Sequence, residues 1–244
     1  MDVDGTLAPI VDRPEDAAVP AETTEILAEL AERYGLVGCV TGRRALEARR
    51  MVGVPDLVYV GNQGFELLMP GEDEPQLEPS AGRSSDKARK FLVGLDSGEL
   101  EGLGVRREDK GPIQVLHWRG APDESKAETA VAAIAKLADQ AGLIPLWGRK
   151  VLDLRPVAGI DKGSAVHRLL DEHAPLDAAI FAGDDRTDLD AFRALARMAE
   201  TPRLGTAIRL GVATEESPAE IRKEADMVVS GTDGVLAVLK ALGA

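Results

Sequence analysis

Short apolar runs alternate with helical patterns along much of this chain, and this alternation is the feature that most constrains its fold. An amphipathic helical pattern at Ala21–Arg33 precedes the apolar run Leu36–Val40. A second helical pattern, near Arg44–Val52, precedes the run Leu57–Val60. Strands separated by helices of this length pair in parallel through right-handed crossovers. The first part of the chain, residues 1–82, therefore predicts an open α/β sheet.

The pattern changes between residues 83 and 155, which we predict to form an inserted α+β domain. The stretch Gly71–Asp86 before it is polar and rich in Pro, Gly and Ser, which indicates a linker or a long loop. The predicted elements of the insert are a hairpin of Gly104–Glu108 and Ile113–Trp118 around Asp109–Lys110–Gly111, a helix over Asp123–Ala141, and the strands Leu143–Trp147 and Lys150–Leu154. A hairpin, a helix and a second hairpin in this order are typical of a small α+β unit.

The parallel pattern resumes in residues 156–244. Its predicted elements are helices at Lys162–His173, Asp188–Ala199 and Gly234–Leu242, and strands at Ala178–Ala182, Ala207–Val212 and Met227–Val229. The fold class that follows is a doubly wound, Rossmann-like parallel-sheet core interrupted by an α+β cap. In such sheets, ligands bind at the carboxyl ends of the strands.

Composition excludes several functional classes. The 244 residues include 29 Lys and Arg against 42 Asp and Glu, a net charge of −13, which argues against nucleic-acid and anionic-membrane partners. A single cysteine, Cys39, and three histidines without metal-binding spacing argue against a disulfide framework or a zinc site. No apolar run is long enough to span a membrane, and the acidic N-terminus does not resemble a signal peptide. We expect a cytoplasmic monomer.

Two carboxylates stand close together at the start of the chain, in Asp2-Val3-Asp4-Gly5-Thr6. In extended backbone, residues two apart lie on one face, so Asp2 and Asp4 would repel unless a proton or a hard cation neutralises them. Oxygen ligands without Cys or His favour Mg²⁺. The alternative interpretation is a polar turn.

A second acidic cluster, Gly183-Asp184-Asp185-Arg186-Thr187-Asp188, directly follows the predicted strand Ala178–Ala182. This position favours a metal-binding role for Asp184. The alternative is a helix cap, with Thr187 or Asp188 capping the next helix, and the two interpretations are compatible.

Two further strand or helix ends carry residues suited to a phosphate. The hydroxyl of Thr41 follows the strand that ends at Val40, and Gly42 and Arg43 follow it as candidate substrate contacts. Lys162 stands at a predicted helix start, where a cation and backbone N–H groups together suit an anion. The alternative for Lys162 is a solvated surface residue.

Together these residues resemble the haloacid-dehalogenase-like phosphatases, because DxDGT, Thr, Lys and GDDxxD follow one another in that order. Longer strings resemble trehalose-6-phosphate phosphatases: DVDGTLAPI, VTGR, GNQGFEL, REDKGPIQVLHWRGAPD, GRKVLDLRP, GIDKGSAVHRLL and GDDRTDLDAF. The likeness runs from Asp2 to the end of the chain and is weakest between Pro70 and Leu100. The GDDRTD string and the DKG…HWR string are the most specific of them.

This resemblance implies a role for each candidate residue. Asp2 is implied to be the nucleophile that forms an aspartyl-phosphate, and Asp4 the general acid and base. Thr41 and Lys162 are implied to hold the phosphoryl oxygens. The implied Mg²⁺ ligands are Asp2, the main-chain carbonyl of Asp4 and Asp184, with support from Asp188. In the family pattern the sugar is contacted by Lys110 and Arg119 of the cap and by Glu66 of the core.

For the cap residues a simpler interpretation remains open. Lys110 is predicted at a hairpin tip, where lysine is common for solubility, and the alternative for Arg119 is a solvated strand residue. Trp118 is predicted to pack in the cap core, and Cys39 to be a buried thiol within a strand.

The chain departs from the family pattern at its start. A strand of about 5–6 residues normally leads into the nucleophile, whereas only Met1 precedes Asp2. We expect that the natural start lies upstream of Met1. A chain that begins at Met1 is predicted to leave Asp2 on a frayed terminus and to have weak or no activity.

Three functions are compatible with these patterns. The first is Mg²⁺-dependent hydrolysis of trehalose 6-phosphate, with a small sugar phosphate as the binding partner. The second is a phosphatase for another phosphorylated disaccharide or hexose. The third is a non-catalytic, sugar-phosphate-binding module that regulates another enzyme, which the short N-terminus favours.

Overall fold

The computed structural model describes residues 1–11, 13–82, 85–95, 97–148, 150–156, 159–214 and 217–244. Its strands are β1 (Gly38–Val40), β2 (Val58–Gly61), β3 (Glu66–Leu68), β4 (Gln76–Leu77), β5 (Arg106–Lys110), β6 (Ile113–His117), β7 (Ile144–Gly148), β8 (Val151–Arg155), β9 (Leu176–Gly183), β10 (Leu204–Ala213) and β11 (Met227–Ser230). Its helices are α1 (Ala21–Arg33), α2 (Ala45–Val52), α3 (Pro79–Gly82), α4 (Ser85–Val93), α5 (Ser97–Gly102), α6 (Glu124–Gln140), α7 (Lys162–His173), α8 (Asp188–Ala199), α9 (Ala219–Glu224) and α10 (Gly231–Gly243).

The described residues form two compact units. The first comprises Met1–Gln76 and Ile160–Ala244, and the second Leu77–Gly159. The limits predicted from the sequence are 82/83 and 155/156, and residues 83 and 84 lie outside the described residues. The linker predicted over Gly71–Asp86 is wrong in part, because β4, α3 and the start of α4 occupy it.

The first unit contains two hydrogen-bonded sheets. One sheet has the order β1-β2-β3-β4, with β1 and β2 parallel and β2 and β3 antiparallel. The other has the order β11-β10-β9, and all of its pairs are parallel. Crossover helices connect the parallel strands, which confirms the predicted α/β class.

Helices cover both faces of these sheets. On one face α1, α2 and α10 bury Leu27, Val52 and Leu239 against β1, β2 and β10. On the other face α7 and α8 bury Leu169 and Phe192. Burial of apolar surface on both faces stabilises such a layered fold, by about 25 cal/mol for each Å² that is buried. The double covering is also what the near-continuous apolar runs of β2 and β10 indicate.

The second unit is an antiparallel sheet of order β5-β6-β8-β7 with helices packed on it. Its core joins α4 and α6 to the sheet through residues such as Leu92, Val131 and Leu154. Trp118 is 2% exposed and meets Trp147 edge to face at 5.9 Å between ring centroids. Its predicted place in the cap core is confirmed.

Cys39 is fully buried in β1, as predicted. Within the described part of the chain, no helix is long and apolar enough to cross a membrane.

Candidate active site

Backbone hydrogen bonds hold Asp2 between the two sheets of the first unit. The Met1 carbonyl accepts the N–H of Val40 on β1 at 2.8 Å, and the Asp2 N–H donates to the carbonyl of Ala182 on β9 at 2.9 Å. Asp2 is only 4% exposed. The predicted fraying of this residue is therefore wrong, because strands on both sides bind its backbone and a buried lysine binds its side chain.

That lysine is Lys162, the first residue of α7. Asp161 caps the helix by accepting the Ser164 N–H, while the Ser164 hydroxyl oxygen accepts the Asp161 N–H. The capped turn directs the Lys162 side chain inward, where its ammonium lies 2.9 Å from Asp2 Oδ1 and 2.8 Å from Asp188 Oδ1. Lys162 is 1% exposed, so its interpretation as a surface residue is wrong.

Burial alone lowers the pKa of an ammonium, but here two carboxylates outweigh it. Asp188 and Asp2 together raise the pKa of Lys162 well above its usual value. Lys162 is therefore a permanent cation in this site, and it keeps a positive charge against the oxygen of Asp2.

The acidic loop after β9 is organised around Asp188. Its Oδ2 accepts the N–H groups of Asp184 and Asp185 at 2.9 and 3.0 Å. Gly183 permits this approach, since a Cβ there would lie 2.3 Å from the Asp188 carboxyl carbon. Because Lys162 and the two amides engage both of its oxygens, Asp188 positions the loop.

Sequence reasoning missed Asp185 in this loop. Its Oδ1 accepts the N–H and the hydroxyl of Thr187 at 2.8 and 2.7 Å and the N–H of Asp188 at 3.2 Å. Asp185 therefore satisfies the first N–H groups of α8, whereas Thr187 forms no such bond. The predicted capping by Thr187 or Asp188 is wrong in this respect. An Asp three residues before the first residue of a helix could have indicated it.

The carboxylates of Asp2, Asp184 and Asp188 form a site that fits a divalent metal ion. Each offers an oxygen, these oxygens lie within 4.8 Å of one another, and all three side chains are buried. The hydroxyl of Thr6, which sequence reasoning also missed, donates to Asp184 at 3.3 Å. The single positive charge of Lys162 does not neutralise the negative charges of three buried carboxylates. A hard divalent cation would neutralise the remainder.

The pKa values of the acids reflect the same excess of negative charge. Burial raises the pKa of Asp2 to about 7, although Lys162 opposes the shift. Burial, followed by the charges of Asp188 and Asp185, raises the pKa of Asp184 to about 7. Below about pH 7 both groups therefore bind protons that a metal ion would displace.

Competition between protons and a metal ion for the carboxylates of Asp2 and Asp184 predicts how the stability of the protein depends on pH. Asp2 and Asp184 bind protons more tightly in the folded than in the unfolded state, where their pKa is about 3.9. The metal-free protein is therefore expected to lose stability as the pH rises from about 4 to about 7. A divalent ion should raise the melting temperature more at pH 8 than at pH 5. Thermal melts with MgCl₂, against NaCl of equal ionic strength, measure this difference, and equal shifts at both pH values contradict it.

Gly5 sets the distance between the N-terminal loop and Asp184. Its φ is +80°, and a Cβ there would lie 2.2 Å from Asp184 Oδ2. Gly71 has nearly the same φ of +79° but no atom within 4 Å of its Cβ position. In both Gly→Ala variants, the left-handed backbone should lower the free energy of unfolding by about 1–2 kcal/mol. Gly5→Ala alone should also weaken metal binding at least tenfold, as measured by titration calorimetry.

Asp4 lies beside this cluster and binds Arg43. The guanidinium of Arg43 makes a two-pronged contact with Asp4, 2.7 Å from each carboxylate oxygen, and also binds Glu47 on α2. The Arg43 N–H donates to the Thr41 hydroxyl at 3.2 Å. Arg43 therefore connects the Asp4 loop to the loop after β1. Its predicted contact with substrate stays a prediction, and in this structure the guanidinium engages carboxylates.

Glu66 and Gly42 also contribute to the structure around the loop after β1. Glu66 is 2% exposed, and it accepts the Ala45 N–H at the start of α2 and the Asn62 amide, at 2.8 and 2.9 Å. These bonds hold α2 in place, and the predicted contact of Glu66 with the sugar stays a prediction. At Gly42, a Cβ would lie 2.8 Å from the side-chain nitrogen of Gln63, so the loop is tightly packed there.

The predicted cap residues lie in the second unit. Lys110 is the last residue of β5, paired with Ile113, so the turn begins at Gly111, two residues later than predicted. Its ammonium lies 3.8 Å from Glu108 Oε2, which also contacts His117 Nε2 at 2.8 Å. Arg119 is exposed in the turn after β6 rather than within the strand. Their contacts with sugar stay predictions.

The sheets of the first unit, with the acid–lysine cluster at their carboxyl ends, have the fold of a haloacid dehalogenase-like hydrolase. One solved structure of that description, from Bacteroides thetaiotaomicron, matches 99% of this chain and 97% of its own with a TM-score of 0.63 and 16% identity. Such identity shows a shared fold alone.

More specific similarity identifies the family. The trehalose-phosphatase family model matches residues 1–226. A trehalose-phosphate phosphatase of Mycobacterium avium is 34% identical over 210 residues, which cover 80% of this chain and 50% of that protein. The crystal structure of a trehalose-6-phosphate phosphatase related protein covers 100% of this chain and 95% of its own, with a TM-score of 0.76 and 25% identity. This chain belongs to the trehalose-phosphatase family, and it spans about half the length of that curated relative.

Proposed function

We propose that this chain hydrolyses trehalose 6-phosphate to trehalose and inorganic phosphate and requires Mg²⁺. The observation that carries the proposal is the buried contact of Lys162 with both Asp2 and Asp188 at the carboxyl ends of the strands. It holds a carboxylate, a cation and an acidic loop in one place. Relatives named trehalose-phosphate phosphatase support the choice of substrate.

Asp2 acts as the nucleophile in this proposal. One of its oxygens attacks phosphorus, the bond from phosphorus to the sugar oxygen breaks, and Asp4 gives its proton to the departing oxygen. Water then attacks the aspartyl-phosphate while Asp4 takes up a proton, and cleavage of the Asp2–phosphorus bond releases phosphate. The first step requires Asp2 to be ionised, and the ammonium of Lys162 at 2.9 Å favours that form.

The remaining residues serve binding and charge. A Mg²⁺ held by Asp2, Asp184 and the main-chain carbonyl of Asp4 would neutralise the phosphoryl charge. Lys162 and the Thr41 hydroxyl bind the oxygens of the transferring group, and backbone N–H groups at the start of α7 add to their field. Asp188 fixes Lys162 and the acidic loop. Arg43 orients Asp4 through its two contacts.

A panel of phosphate-release assays tests the proposal. Trehalose 6-phosphate, sucrose 6-phosphate and glucose 6-phosphate are each supplied with MgCl₂ and, in parallel, with EDTA. Faster release from trehalose 6-phosphate, abolished by EDTA, is the expected result. Faster turnover of another sugar phosphate would assign the second function. Binding of trehalose 6-phosphate by calorimetry without any phosphate release would assign the regulatory function.

The sugar contacts of Lys110 and Arg119 are part of the same proposal. In the Lys110→Ala variant, the KM for trehalose 6-phosphate should rise at least tenfold, because a charged hydrogen bond to a sugar hydroxyl would be lost. Lys126, an exposed lysine of α6, provides the matched control. Equal kinetics in Lys110→Ala and Lys126→Ala would leave Lys110 as a solubility residue.

A further inference from the structure

The turn between β2 and β3 holds Gln63 in a backbone conformation that glutamine rarely adopts. Its φ is +61°, and the preceding Asn62 has a φ of +50°, so two consecutive residues lie in the left-handed region. Asparagine is enriched in that region, but a residue with a longer side chain is uncommon there. Strained backbone of this kind is found mainly at functional sites, where the surrounding structure imposes it.

Two parts of the proposed site contact this turn. The Gln63 N–H donates to the Thr41 carbonyl at 2.8 Å. At the next residue, Gly64, a Cβ would lie 2.8 Å from the carbonyl oxygen of Asp161, which caps α7. The turn therefore packs against the loop that carries Thr41 and against the helix that begins with Lys162, the two residues proposed to bind the phosphoryl oxygens.

The side-chain amide of Gln63 contains a buried acceptor without a donor. Its Oε1 is buried and accepts no hydrogen bond from the described residues. Its Nε2 lies against Gly42, 2.8 Å from the position of a Cβ on that residue. Gln63 as a whole is only partly buried, and a half-turn of the amide exchanges its two atoms, so either atom can meet a ligand. Because buried acceptors are normally paired, this amide is suited to binding a donor from outside the described residues.

The position of the turn in the sheet indicates which part of a sugar phosphate the amide would meet. Strand β1 lies between the segment Met1–Asp2 and β2. Neighbouring strands are about 4.8 Å apart, so the turn after β2 lies about 10 Å from Asp2, to one side of the phosphoryl site. Ionised phosphoryl oxygens only accept hydrogen bonds, whereas a sugar hydroxyl also donates them. An acceptor without a donor therefore matches the sugar rather than the phosphoryl group.

We propose that the side-chain amide of Gln63 binds the sugar of the substrate, with Oε1 accepting a hydrogen bond from one hydroxyl and Nε2 donating to a neighbouring oxygen. This inference rests on the proposed function and adds a substrate-binding residue to it. The strained turn has a purpose in this arrangement, because it holds the amide over Gly42, beside the residue that binds the phosphoryl group.

The test replaces Gln63 with methionine in the full chain, because methionine has a similar length but cannot form these hydrogen bonds. In Gln63→Met, the KM for trehalose 6-phosphate should rise at least about tenfold, while kcat changes by less than about threefold. Inorganic phosphate has no sugar hydroxyl, so its Kd in the presence of MgCl₂, measured by calorimetry, should stay within about twofold. The melting temperature should not fall, since the substitution removes a buried acceptor that has no partner.

The matched control is Gln140→Met, the same chemical change at an exposed residue of the second unit, and it should leave all four measurements unchanged. An unchanged KM in Gln63→Met would overturn the inference. Equal losses of affinity for trehalose 6-phosphate and inorganic phosphate would overturn it as well, because Gln63 would then act on the phosphoryl group or on the fold. A parent chain that releases no phosphate from trehalose 6-phosphate would instead contradict the proposed function, and this inference with it.

Discussion

Asp2→Asn is expected to lower phosphate release by at least about 10⁴-fold, the largest effect of any substitution proposed for this chain. The amide is nearly the same size as the carboxylate but cannot form the aspartyl-phosphate. Asn would still accept a hydrogen bond from Lys162, which lies 2.9 Å from Asp2 Oδ1, so the fold should persist. Circular dichroism and a thermal melt verify the fold, and a phosphate-release assay measures the rate.

The matched control is Asp56→Asn. Asp56 is exposed in the turn before β2, so its neutralisation changes net charge by the same amount without touching the site. Its phosphate release should stay within twofold of the parent chain. A comparable rate in Asp2→Asn would rule out Asp2 as the nucleophile.

Lys162→Met is expected to lower the free energy of unfolding by about 3–5 kcal/mol, the largest stability effect. Methionine fills a similar volume, but Asp2 and Asp188 would lose the ammonium at 2.9 and 2.8 Å and remain buried. Without that cation their pKa values should rise further. The destabilisation should therefore be greatest above about pH 7 and smaller near pH 5, where protons replace the lost charge. Urea unfolding at the two pH values measures the effect.

Lys136→Met provides the comparison, since Lys136 is an exposed lysine on α6. A change within about 0.5 kcal/mol is expected there. If Lys162→Met were equally mild, or if its cost did not depend on pH, the two carboxylates would not rely on Lys162 for compensation.

Helices with strong local signals were predictable to the residue. The bounds of α1, α7 and α8 match the prediction because apolar periodicity and helix-start residues are local properties of the sequence. The region of β4, α3 and α4 was not predictable, because its short elements have polar, Gly- and Pro-rich sequences without a clear period. Such elements form only when they pack against the rest of their unit.

The candidate site was likewise predictable from the sequence only in part. The sequence alone determined which acids, hydroxyl and lysine follow the strands, because parallel strands place their carboxyl ends at one edge. Only the tertiary structure decided how they pair: Arg43 with Asp4, Glu66 with the start of α2, and Lys162 with two carboxylates. Residues 26 and 160 positions apart in the chain meet at Lys162, and spacing in sequence contains no information on such distances.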